Sequence, residues 1–66
     1  VQVIANGTAT ELPDGASVSV LLEALRLGGK WVLVELNGEP VPRRSLESTV
    51  LADGDRVELV RAVAGG

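Results

Sequence analysis

The spacing of apolar residues changes period along this chain, and each change marks a boundary between elements. Val1, Val3 and Ala5 alternate with Gln2 and Ile4. That period of two predicts a strand with Val1, Val3 and Ala5 on one face and Gln2 and Ile4 on the other. Asn6-Gly7 is a strong hairpin signal, so Thr8 to Leu12 is predicted to be the returning strand. Pro13-Asp14-Gly15 breaks the strand, and Ser17 offers a helix N-cap. Val18, Leu21, Leu22 and Leu25 then follow at i, i+3, i+4 and i+7, a single helical stripe. Ser19, Glu23 and Arg26 fall largely off it. Gly28-Gly29 is predicted to stop this helix, with Gly28 or its neighbour in the left-handed cap conformation.

Period two returns at Trp31-Val32-Leu33-Val34-Glu35-Leu36, closed by a second turn signal, Asn37-Gly38. With Glu35 in water, Val32, Val34 and Leu36 point inward, and Trp31 and Leu33 share the outer face with Glu35. Pro40 and Pro42 rule out a long central strand between Glu39 and Thr49, which leaves a short edge strand around Val41 and then a turn or short helix. Val50-Leu51 is expected to add a small strand. Asp53-Gly54-Asp55 turns the chain into a last strand, Val57 to Val63, with Val57 and Leu59 inward. This order of elements predicts an α+β roll, a mixed sheet with one main helix packed across it. The helix-containing connection allows the last strand to lie parallel to the first.

Composition narrows the chemistry. Sixty-six residues make one small domain, and the absence of Cys excludes disulfides and thiolate metal sites. His, Tyr, Phe and Met are also absent, which leaves carboxylates, Lys30 and hydroxyls for catalysis. A self-sufficient enzyme is not expected, and no metal site is. The core must be aliphatic. A net charge of −3 argues against nucleic acid as a partner. No apolar run approaches membrane-spanning length and no signal peptide is visible, so the expected location is cytoplasmic and no membrane partner is expected.

Against that background the final residues stand out. Ala64-Gly65-Gly66 follows the last strand and is useless for packing, since glycine buries no side chain and loses the most entropy on ordering. As a thread through a narrow channel it is well suited. One reading is a frayed flexible tail over about 63–66; the other is a reactive terminus. Ile4, Leu33, Val60 and Ala62 form a candidate docking patch on the face opposite the helix. A slip of one residue would put them in the core instead. Trp31 either covers a sheet edge or meets a partner. Arg43-Arg44 reads as a solvated loop before it reads as an anion site, and Asp53-Gly54-Asp55 as a tight turn before a cation site.

Taken together and in order, these motifs span essentially the whole chain and resemble a known family. Val1 to Gly7 is similar to an opening hairpin, and Leu12-Pro13-Asp14-Gly15 before Val18-x-x-Leu21-Leu22 to a helix start. Leu36-Asn37-Gly38-Glu39-Pro40-Val41-Pro42-Arg43 is similar to a middle signature. Leu51-x-Asp53-Gly54-Asp55-x-Val57-Glu58-x-Val60, leading to Ala62-Val63-Ala64-Gly65-Gly66, is similar to an ending. The chain resembles the sulfur carrier proteins of thiamine biosynthesis (ThiS), which have the ubiquitin-like β-grasp fold. Val1 in place of the usual Met and the basic Arg61 depart from the family pattern.

The resemblance implies a carrier rather than a catalyst. An E1-like (ThiF-like) adenylating enzyme would use ATP to activate the Gly66 carboxylate. A sulfur donor such as a cysteine desulfurase would turn it into a thiocarboxylate, and thiazole synthase (ThiG-like) would receive the sulfur. Ala64 and Gly65 would thread the partner's channel; the chain itself would bind no cofactor. Two alternatives remain open: a carrier like the small subunit of molybdopterin synthase, and a ubiquitin-like binding module whose Gly-Gly is incidental.

Overall fold

The computed structural model describes residues 1–28 and 31–61. Five strands form one mixed sheet. They are β1 (Gln2–Ala5), β2 (Thr8–Glu11), β3 (Val32–Leu36), β4 (Glu39–Val41) and β5 (Arg56–Arg61), in spatial order β2-β1-β5-β3-β4. One helix, α1 (Val18–Ala24), crosses a single face, and a 3-10 turn occupies Arg43–Ser45. β5 is central: it pairs parallel with β1 and antiparallel with β3. The mixed roll with its parallel first and last strands is the architecture expected from the order of elements.

Both hairpins turn on Asn-Gly with φ positive at each central residue, 48° and 82° at Asn6-Gly7 and 51° and 85° at Asn37-Gly38. Positive φ at both positions matches the right-handed twist of the flanking strands. Alternation then sorts the side chains as expected. Val3, Ala5, Val32, Val34, Val57 and Leu59 are buried and meet Val18, Leu21 and Leu22 of α1, with Leu12, Ala16 and Leu51 closing the margins. Val1 and Leu36 are partly buried against this cluster.

The start of α1 accounts for its free backbone donors. Ser17 Oγ accepts from Val20 N at 3.4 Å, as its N-cap role requires. Val18 N donates to Thr49 O at 2.9 Å and Ser19 N to Leu46 O at 3.0 Å. Segment 46–51 therefore satisfies helix donors that would otherwise be left without partners. This explains why the small strand expected at Val50-Leu51 is replaced by a lone bridge between Ser17 and Val50. Leu51 keeps the core position.

The end of α1 corrects the expectation at Gly28, while Gly29 lies outside the described residues. The helix stops at Ala24, Leu25 is the C-cap and is exposed, and the left-handed residue is Arg26 at φ 60°. Arg26 N donates to Glu23 O at 3.0 Å and Leu27 N to Leu22 O at 2.7 Å, the paired bonds of a Schellman ending. Placing the turn at Arg26 puts Leu27 where it packs on the core. A turn at Gly28 would put Gly29, with no side chain, in that place. A left-handed non-glycine residue costs about 1–2 kcal/mol, the same order as the benefit of burying much of a leucine. Arg26→Gly is therefore expected to raise stability by up to about 1 kcal/mol, part of the relief being lost to a freer unfolded chain. A lower melting temperature in that variant would refute the assignment.

Side-chain amides add to the backbone hydrogen bonds that hold β5. Past the end of β1, the Asn6 side chain continues the ladder: Leu59 N donates to Asn6 Oδ1 at 2.7 Å, and Asn6 Nδ2 donates to Leu59 O at 3.0 Å. On the other side Arg56 N donates to Asn37 Oδ1 at 2.9 Å, and Asn37 Nδ2 donates to Asp55 Oδ1 at 3.0 Å. Losing both Asn6 bonds should cost about 1–3 kcal/mol. Asn6→Gly keeps the turn backbone and is expected to lose that much; Asn6→Ala should lose about 1 kcal/mol more through left-handed strain. Faster hydrogen exchange at the Leu59 amide would report the break in both, and protection equal to the parent's would contradict it.

Candidate functional site

The outer face of the sheet, opposite α1, is built from the residues that alternation excludes from the core. Its rows follow from strand register. Leu33 of β3 lies directly across from Val60 of β5, and Glu35 across from Glu58. On the far side of β3, Glu35 faces Pro40 of β4. Leu33 and Val60 are 64% and 60% exposed and Trp31 is 63% exposed, so three large apolar side chains stand in solvent at one end of this face.

Two of the four residues expected to form the docking patch are thus brought together. Leu33 and Val60 are cross-strand partners. Ile4 is half-buried and lies level with Arg56, four residues before Val60. That is about 13 Å along the strand, and Glu58 stands between them on the same face. Parallel pairing aligns β1 with the start of β5, whereas Leu33 and Val60 are near its end; periodicity assigns a face but not a height on it. Ala62, Ala64, Gly65 and Gly66 lie outside the described residues.

Trp31 and Arg43 extend the patch. The Arg43 guanidinium sits 4.2 Å from the centre of the Trp31 ring, within range of a cation–π contact. With Leu33, Glu35, Pro40 and Pro42 they line an open groove along the β4 side of β3. The sequence left Trp31 undecided between an edge cover and a partner contact. Its exposure shows that it covers little, and both Trp and Arg are residue types that anchor protein interfaces. The signal that could have joined Arg43 to Trp31 was the β3–β4 hairpin, since Pro42 ends β4 and returns the chain beside the start of β3.

The acidic turn has a structural job. Asp53 Oδ1 accepts from Gln2 N at 2.6 Å, and Asp55 Oδ2 accepts from Ala52 N at 2.8 Å while its other oxygen accepts from Asn37. These carboxylates fasten the β5 turn to β1 and to the β3–β4 turn, as the tight-turn reading requires. Among the described residues no group of His, Cys, Asp or Glu is arranged to hold a metal. No helix there is long and apolar enough to cross a membrane.

A five-stranded mixed sheet grasping one helix, with an exposed apolar end beside the exit of its central strand, defines the ubiquitin-like β-grasp class. The profile of the ThiS family matches residues 2–66, and the chain belongs to that family. A solved structure of the thiamine biosynthesis protein ThiS from Geobacter metallireducens superposes with a TM-score of 0.81 at 33% identity, covering 100% of both chains. The sulfur carrier protein ThiS of Escherichia coli is 31% identical over 65 residues, 98% of each chain. A thiazole synthase of Paramagnetospirillum magneticum is 32% identical over 65 residues, 98% of this chain. The chain spans only 20% of that synthase's length. At the level of the family, the chain is a ThiS sulfur carrier of thiamine biosynthesis.

Because Leu33 and Val60 already stand in water, a carboxylate there displaces no core packing. Leu33→Asp and Val60→Asp are each expected to change stability by no more than about 1 kcal/mol. Cooperative unfolding at a much lower denaturant midpoint in both would return these residues to the core.

Proposed function

We propose that this chain carries sulfur on the carboxyl group of Gly66. A carboxylate is a poor acyl donor. Its oxygen attacks the α-phosphorus of ATP in an E1-like adenylating enzyme, pyrophosphate leaves, and the mixed anhydride gains AMP as a good leaving group. The persulfide of a donor such as a cysteine desulfurase then displaces AMP to give an acyl disulfide. A thiol reductant supplies the two electrons that cleave its S–S bond and leave a thiocarboxylate. That group is a tethered sulfur nucleophile for thiazole formation by thiazole synthase. The chain needs no thiol of its own, consistent with its lack of cysteine.

The observation that carries this reading is the family match, which runs through residue 66 and so includes the Gly-Gly. The fold supports it. Arg61 ends the central strand at the same end of the sheet as Trp31, Leu33 and Val60. Gly66 is the fifth residue after Arg61, a reach of at most about 18 Å. An enzyme that handles Gly66 therefore faces the exposed apolar end, and Leu33 and Val60 are its docking contacts. The likeness to a thiazole synthase that contains a segment of this kind supports that enzyme as the recipient.

Deleting Gly66 leaves Gly65 short by about 3.3–3.6 Å, too far for a reaction whose atoms must be positioned near contact. Gly65→Val fails differently, through width and restricted φ/ψ. Incubated with ATP, the adenylating enzyme, a sulfur donor and a thiol reductant, the parent should exchange one oxygen for sulfur by intact-protein mass spectrometry. Both variants should not, with unchanged melting temperatures. A deletion variant that gains sulfur as readily as the parent would rule out Gly66 and leave a binding module as the better description.

A further inference from the structure

The outer face carries a feature that neither folding nor sulfur chemistry uses. Glu35 and Glu58 stand directly opposite each other on the two central strands, and both are exposed. Like charges in that relation repel at Cβ separations of about 4.5–5.5 Å. Among the described residues the ion pair present joins the N-terminus to Asp14 at 3.3 Å, and neither glutamate takes part in one. Arg56 lies on the same face two residues before Glu58, yet pairs with neither within 4.0 Å. The pair is bounded by the Leu33–Val60 row on one side and by Pro40 on the other.

We propose that Glu35 and Glu58 select the partner at this face, accepting a thiazole synthase surface that presents an Arg or Lys side chain set among apolar ones. The inference rests on the docking role of Leu33 and Val60 given above. A partner that covers Leu33 and Val60 must also bring the neighbouring carboxylates out of water. Against a purely apolar surface two adjacent charges lose hydration and gain nothing. Against a guanidinium or ammonium both carboxylates are paired with one cation, which leaves a single net negative charge and offsets the repulsion present in the free chain. The same pair therefore attracts one class of surface and penalises the other, which is how specificity is separated from affinity. The position fits a group that must come close to Gly66: the acidic row lies one row from Val60, on the strand that leads to it.

The test uses the full chain and purified thiazole synthase, with affinity measured across a range of salt concentrations. The parent is expected to bind more weakly as salt rises. Glu35→Gln combined with Glu58→Gln should weaken binding by about tenfold or more at low salt and flatten the salt dependence, with the melting temperature equal to or above the parent's. Leu33→Asp serves as the reference for the face itself. If it weakens binding while the double glutamine variant binds like the parent with the same salt dependence, the selecting role of the carboxylates is overturned and the docking face stands. If neither variant changes affinity, or the parent does not bind the synthase, the docking face fails and the inference fails with it.

Discussion

Everything in this fold depends on how β5 is hydrogen-bonded. It is the central strand, parallel to β1 on one side and antiparallel to β3 on the other, and the last in chain order among the described strands. Loop-closure entropy opposes such a pairing, because β1 and β5 are separated by most of the chain. The side chains of Asn6 and Asn37 offset part of that cost. Each sits in a hairpin turn at positive φ and turns its amide onto β5, one at Leu59 and the other at Arg56. A turn residue chosen for its backbone thus also fixes the register of the strand beside it. A slip of one residue would bury Glu58 and Val60 and expose Val57 and Leu59.

The rest of the molecule is economical for the same reason. With no disulfide, metal-binding cysteine or core aromatic available, a domain of 66 residues has little surplus stability. Its helix is two turns long, too short to persist alone. It persists because segment 46–51 satisfies its first donors and because the ending at Arg26 recruits Leu27 to the core. Loop, cap and core are thus one arrangement.

The sequence disclosed what period and turn chemistry control. The strand faces, both Asn-Gly hairpins, the Ser17 cap and the parallel pairing of first and last strands were legible because each depends on residues close together or on a strict period. What escaped depends on contacts between distant segments. The left-handed residue at Arg26 is chosen by where Leu27 must land, not by the more permissive glycines nearby. Val50-Leu51 has strand-forming residues, yet its backbone serves the helix start. Ile4 was assigned to the correct face and still stands apart from Leu33 and Val60, since height along a sheet is fixed by register between strands. The opposition of Glu35 and Glu58 is invisible for the same reason until β3 and β5 are aligned.

That alignment gives the two faces of β5 different work. Val57 and Leu59 hold the sheet to the helix, and Glu58 and Val60 face outward with nothing among the described residues covering them. Folding alone would favour polar, mutually attractive residues on the outer face, because exposed apolar side chains invite association and paired glutamates repel. The proposed docking role would account for a marginally stable domain that retains both on β3 and β5. The strand that anchors the core also carries Val60 on its outer face and ends at Arg61, so under the proposed function a surface seated over Leu33 and Val60 would lie beside the end of that strand. Under the proposed function, docking and delivery would be coupled through the register of β5, which the two asparagines help to fix.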